Sequence, residues 1–131
     1  MSDTTTQPST QPKRLFEIVQ GQDAFQRVIA RPRSVVIFKA DWCEPCKDYQ
    51  AQLEQSTRFA EYSQEHGLYL ALVDIGQNMD LALENNVRSV PLTRAYSRGR
   101  SLGSNIGSMK TTDLILYLAE WYNFPREMAR V

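Results

Sequence analysis

The chain has 131 residues, 42% of them hydrophobic, which supplies one ordinary core and leaves no room for a second full-sized domain. Fifteen basic and fifteen acidic side chains cancel to a net charge of zero, removing the simplest electrostatic case for nucleic acid or an anionic membrane as partner. Two cysteines exclude a disulfide-stapled mini-protein, and with the single histidine, His66, they fall short of the roughly four ligands of a structural zinc site.

Met1 to Arg14 reads MSDTTTQPSTQPKR, without an apolar stretch and so without a signal-peptide core. Residues 1–13 are expected to form a disordered tail, 14–124 one domain and 125–131 a C-terminal tail. No later segment approaches the roughly 20 apolar residues of a membrane span, so the expected location is cytoplasmic, with no membrane partner. Leu15 to Val19 reads as a short first strand. Gly21 to Ala30 places Phe25, Val28 and Ile29 at helical spacing, and Pro32 closes that helix. Ser34 to Phe38 (SVVIF) is a continuous apolar run, the pattern of a central strand covered on both faces. Cys46 to about His66 reads as one long helix with Tyr49, Leu53 and Ala60 on one side and Gly67 as its stop. Leu68 to Ile75 is a second buried-strand run, Asp80 to Asn85 a short helix, and Asn86 to Pro91 a loop. Leu92 to Tyr96 and Leu102 to Ile106 form a hairpin through Ser97-Arg98-Gly99-Arg100. Thr111 to Tyr122 is an amphipathic helix, with Leu114, Ile115, Leu118 and Trp121 or Tyr122 toward the sheet. Crossover helices require parallel pairing early in the chain and the Gly99 turn antiparallel pairing late, giving an α/β sandwich with a mixed sheet and helices on both faces.

The chemistry sits in Trp42-Cys43-Glu44-Pro45-Cys46-Lys47. Both cysteines lie there, three positions apart, directly after the buried strand and at the start of a helix. Positions i and i+3 on a helix bring Cβ atoms to about 5–6 Å, close enough for a disulfide after small adjustment. Cys43 falls in the cap region, where unpaired N–H groups and the helix dipole stabilise an anion, and the thiolate is the attacking species in disulfide exchange. Cys46, one turn inside, is the more buried and less ionised. Cys43 is thus the nucleophile and Cys46 the resolving thiol, while Pro45 suits a first turn.

The segment Phe38-Lys39-Ala40-Asp41-Trp42-Cys43-Glu44-Pro45-Cys46-Lys47 resembles the active-site stretch of thioredoxins. Val90-Pro91 resembles the cis-proline loop of that family, and the 97–100 hairpin with Ile106-Gly107 its terminal hairpin and glycine loop. Leu68 to Asn78 resembles its third strand and the turn after it. The likeness covers about Leu15 to Tyr122. It implies a thioredoxin-like fold with a central mixed five-stranded sheet, a cis Pro91 against the cysteine pair, and a substrate groove bordered by Trp42, Glu44, Pro45, Val90, Pro91, Ile106 and Gly107. It also implies protein-disulfide oxidoreductase activity on disulfide-containing protein substrates, with an upstream reductase as partner and no cofactor beyond the Cys43–Cys46 pair; nothing in the sequence requires more than a monomer, and the scarcity of ligands argues for no metal.

The sequence departs from the family at informative places. Thioredoxins carry an aspartate in the strand before the motif, beneath the second cysteine, and a lysine paired with it; the matching positions here are Ile37 and Leu72. Lys39 stands where an aromatic residue is common, and its ammonium is expected to favour the thiolate or to snorkel to solvent. Glu44 replaces the usual glycine and is expected to disfavour thiolate formation, or to be merely solvated. Trp-Cys-Glu-Pro-Cys-Lys also occurs in membrane-anchored thiol reductases of cytochrome c maturation. Arg88, Arg94, Arg98 and Arg100 are expected around the proline loop and hairpin. Arg94 either reaches a carboxylate or the surface, or recognises an acidic partner. Two further readings stay open: a thioredoxin-fold interaction, assembly-factor or chaperone-like adaptor module in which exchange is weak or incidental, and metal or cluster binding between two subunits.

Overall fold

The computed structural model describes residues 14–125, and the expectations for residues 1–13 and 126–131 lie outside the described residues. Ten elements follow one another: β1 (Glu17–Val19), α1 (Gln22–Ile29), β2 (Ser34–Lys39), α2 (Glu44–Glu54), α3 (Thr57–Glu65), β3 (Tyr69–Asp74), α4 (Met79–Glu84), β4 (Leu92–Ser97), β5 (Arg100–Ile106) and α5 (Thr111–Trp121). Their sheet has the order β1-β3-β2-β4-β5. β1 and β2 flank β3 in parallel, while β4 runs antiparallel to β2 and β5 antiparallel to β4. This is the mixed five-stranded sheet expected from the sequence.

The alternation of side chains along a strand explains why two cores form. Val35 and Ile37 of β2 point to the face covered by α2, α3 and α5, where they meet Tyr49, Leu53, Phe59, Tyr62, Leu114 and Leu118. Val36 and Phe38 point to the opposite face and meet Phe25, Val28 and Ile29 of α1 and Leu81 of α4. A strand buried on both sides cannot alternate polar and apolar residues, which is why the run from Ser34 to Phe38 is unbroken.

The long helix expected from Cys46 to His66 is two helices. It breaks at Gln55-Ser56, where Ser56 adopts an extended conformation and its hydroxyl accepts the Phe59 N–H at 3.0 Å, capping α3. The break rotates the second half, so Phe59 enters the core and Ala60, expected inside, is exposed. At the hairpin, Arg98 and Gly99 both have positive φ (51° and 88°), the signature of a two-residue turn matched to strand twist. The register shifts between Ala95 and Tyr96, which pair with Gly103 and Ser101. Gly103 then receives the Trp121 ring so closely that a Cβ there would lie 2.6 Å from Cε2. The Tyr122 hydroxyl shares its one proton between the carbonyl oxygens of Ser34 and Tyr96, both at 2.9 Å, tying the end of α5 to the sheet. Phe124 stacks on Tyr122 and on the buried ring of His66, so the chain leaving α5 packs back onto the domain.

Candidate active site

The strand-to-helix junction after β2 holds both cysteines. β2 delivers the chain to the end of the sheet at Lys39, Ala40 to Trp42 turn it, and α2 begins at Glu44 with Pro45 in its first turn. Cys43 is the N-cap of α2, and its Sγ accepts the backbone N–H of Cys46 at 3.2 Å. An orphan donor of the helix therefore points at the sulfur, the arrangement that stabilises a thiolate. The Cα atoms of Cys43 and Cys46 are 5.3 Å apart and the pair is joined as a disulfide. Cys46 is 2% exposed and Cys43 5%, so Cys43 is the more open of two largely covered sulfurs. Ala40, Ile75 and Val90 pack around them.

The Val90–Pro91 bond is cis. Sγ of Cys43 lies 3.9 Å from the Val90 carbonyl oxygen, and the Pro91 carbonyl accepts the N–H of Gly107 at 2.8 Å. Leu92 pairs with Ile106 at the same end of the sheet. The structure thus gathers Cys43, Cys46, Val90, Pro91, Ile106 and Gly107 at one end of the sheet. Trp42 is 74% exposed and Ile106 68%, two of several large apolar side chains that the surface leaves in water. A cleft of about 650 Å³ lies elsewhere, lined by residues that include Phe16, Ser63, Leu68 and Leu70, and neither cysteine borders it.

Lys39 lies between two carboxylates, 3.1 Å from Asp41 and 3.5 Å from Asp74. The Lys39 hydrogen bond holds the Asp41 carboxyl below its ordinary range, with Asp74 contributing next. The ammonium near the motif is therefore offset by two acids. Glu44 pairs with Lys47 at 3.3 Å in solvent. Among the described residues Arg94 pairs with no carboxylate: its guanidinium donates to the Asn85 carbonyl at 2.8 Å, closing the end of α4. Arg98 and Arg100 lie at the far end of the β4–β5 hairpin from Pro91, where the N–H groups of Arg98 and Gly99 bond the carbonyls of Arg31 and Ile29. Of the arginines expected around the proline loop and hairpin, Arg98 and Arg100 lie on the hairpin but away from the proline loop, because the hairpin runs the length of the sheet. Among the described residues, no group of three or more His, Cys, Asp or Glu side chains is placed to hold a metal, and no helix is long and apolar enough to cross a membrane.

Residues 17–120 match the family model for thioredoxin. The chain belongs to the thioredoxin family. It is 34% identical over 105 residues to the mitochondrial thioredoxin of Bos taurus, covering 79% of this chain and 60% of the bovine one. A mutant thioredoxin from Halobacterium salinarum NRC-1 superposes with a TM-score of 0.69 at 26% identity, over 79% of this chain and 88% of that one. The oxidised thioredoxin of Plasmodium falciparum gives 0.66 at 27% identity, over 82% and 97%. The chain spans 60% of the length of the mammalian relatives that it matches.

Within this family frame the departures at Ile37 and Leu72 acquire a location. The two are register partners across β2 and β3 and are 2% and 1% exposed. Lys39 and Asp74 are also register partners, one pleat further along the same strands toward the cysteines. The Lys39–Asp74 pair therefore lies nearer the end of the sheet that carries the cysteines, and the core around Ile37 includes a hydroxyl pair. Tyr49 and Thr93 hydrogen-bond there at 2.8 Å. Sequence reading missed that pair, because Tyr49 reads as core by its spacing and Thr93 as a strand residue; only the packing of α2 on β4 joins them.

Proposed function

We propose that this protein is a thiol-disulfide oxidoreductase that exchanges a dithiol for a disulfide on protein substrates through Cys43 and Cys46. The observation that carries the reading is the Cys43 sulfur, set at the N-cap of α2, accepting the Cys46 N–H and lying beside the Val90 carbonyl and cis Pro91. In the reducing direction the Cys43 thiolate attacks one sulfur of a substrate disulfide, and the other substrate sulfur leaves with the electron pair and takes a proton. The Cys46 thiolate then attacks Sγ of Cys43, the Cys43–substrate bond breaks, and the Cys43–Cys46 disulfide carries away the two electrons' worth of oxidation. An upstream reductase returns the pair to the dithiol, and no other cofactor takes part.

Trp42, Glu44, Pro45, Val90, Pro91, Ile106 and Gly107 form the surface that receives the substrate chain. The exposed rings and aliphatic groups of Trp42 and Ile106 supply its apolar area, and the open surface suits a polypeptide better than a small molecule. Lys39 and Glu44 tune the cysteines with opposite signs. The protein works as a monomer in the cytoplasm, without nucleic acid or membrane partners; fractionation and sedimentation check those two statements.

Insulin reduction with dithiothreitol as electron source tests the activity. Wild type is expected to precipitate the insulin B chain and Cys46→Ser to lose turnover while forming a mixed disulfide. No activity and no adduct in either protein would leave the adaptor reading in its place.

A further inference from the structure

The apolar replacement of the buried acid leaves an unanswered chemical need. When Cys46 resolves the mixed disulfide it must lose its proton inside a covered site, where an isolated thiolate is disfavoured. Cys43 has its donor, the Cys46 N–H. Cys46 needs another.

α2 presents Cys46, Tyr49 and Leu53 on its buried face, with Cys46 and Tyr49 one helical turn apart; in this oxidised structure the Tyr49 hydroxyl bonds Thr93 and not the Cys46 sulfur. Thr93 lies two residues after Pro91 on β4 and is the register partner of Ile37 on β2. Successive side chains on a strand alternate, so Thr93 projects beneath Pro91 on the face that α2 covers. The hydroxyls meet at 2.8 Å, with the two residues 2% and 0% exposed. Each hydroxyl owns one proton, and their mutual bond uses one. Among the described residues neither hydroxyl makes a second hydrogen bond to use the other. Burial pushes the Tyr49 phenol up to about 12, so it stays protonated at neutral pH.

We propose that the Tyr49–Thr93 hydroxyl pair donates to the sulfur of Cys46 when that sulfur ionises, acting as the positioning group for the resolving thiolate. The inference rests on the dithiol reading above. In the step it serves, the Cys46 proton passes to solvent, the Cys46–Cys43 bond forms, and the Cys43–substrate bond breaks. The substrate sulfur departs with the electron pair and is protonated by solvent. The hydroxyls are not consumed; they lower the cost of the buried anion. The charged groups flanking the motif are paired with one another: Glu44 with Lys47 on α2, and Lys39 on β2 with Asp41 in the preceding loop and buried Asp74 on β3.

The reduced protein mixed with excess dithiobis-nitrobenzoate tests this by stopped flow from acid to alkaline pH. Attack by Cys43 releases one thionitrobenzoate at a rate set by reagent concentration, and resolution by Cys46 releases a second at a rate independent of it. Thr93→Val and Tyr49→Phe are expected to slow the second phase about tenfold at neutral pH and move its midpoint up by about one unit, leaving the first phase in place. Thr93→Ser keeps the hydroxyl, so it is expected to keep the wild-type midpoint; this comparison stands even if Tyr49→Phe does not fold. Second-phase profiles of Thr93→Val and wild type that superimpose would overturn the proposal alone. A wild-type protein that never releases the second ion would overturn the dithiol reading as well.

Discussion

Returning an acid to the interior by Ile37→Asp measures how apolar the space beneath the cysteines is. Ile37 is 2% exposed, faces Leu72 and Thr93 across the neighbouring strands, and packs among Tyr49 and Leu53. Losing its aliphatic volume costs about 3 kcal/mol whatever the charge state. A neutral comparison, Ile37→Asn, carries that packing loss with it, so the Asp–Asn difference isolates ionisation. With no lysine at Leu72, desolvation raises the folded-state pKa of the new carboxyl above its unfolded value of about 3.9. The aspartate therefore matches the asparagine at low pH, and its stability falls away as pH rises from the unfolded toward the folded pKa. A rise of about three units is worth about 4 kcal/mol, which at a urea slope near 1.5 kcal/mol/M lowers the midpoint by roughly 2–3 M. Urea titrations of the oxidised proteins across the acid-to-neutral range read this directly. Asp and Asn curves that stay parallel across that range would refute the reasoning, since they require water or a cation at the site.

Three further outcomes follow from separate features. Ser56→Ala removes the α3 cap and is expected to cost about 1 kcal/mol in denaturant unfolding, with Ser56→Asp recovering most of it. Gly103→Val drives a side chain into the Trp121 ring, so thermal unfolding is expected to lose about 1–3 kcal/mol, or several degrees in Tm. The Tyr62 hydroxyl is buried without a hydrogen-bond partner among the described residues, and desolvation lifts it to about 12 against an ordinary 10. Its raised folded pKa means that its stabilising contribution is intact below pH 10 and lost between there and 12. Tyr62→Phe is expected to flatten that alkaline loss while changing neutral stability by less than about 1 kcal/mol.

The cysteine motif and the strands were legible in the sequence because each rests on local pattern: the unbroken run of β2 reports burial on both faces, and the i, i+3 cysteine spacing after it reports a helix start. The break between α2 and α3 was also written locally, in a serine three residues before buried Phe59, but apolar spacing across the junction concealed it. What could not be read was tertiary pairing. Arg94 looks misplaced in an interior strand until α4 brings the Asn85 carbonyl within reach, and Lys39 looks like a free cation until Asp74 arrives from β3. The arginines of the hairpin turn follow the proline loop closely in sequence, but the six residues of β4 carry them to the opposite end of the sheet.

The central claim is that the Cys43 sulfur is ionised by its place at the tip of α2. Titrating the thiolate absorbance of reduced Cys46→Ser, which keeps the Cys46 backbone N–H and leaves one sulfur, measures it. The account predicts a midpoint well below the roughly 8.5 of a free cysteine, near 7; a midpoint at or above the free value would contradict it.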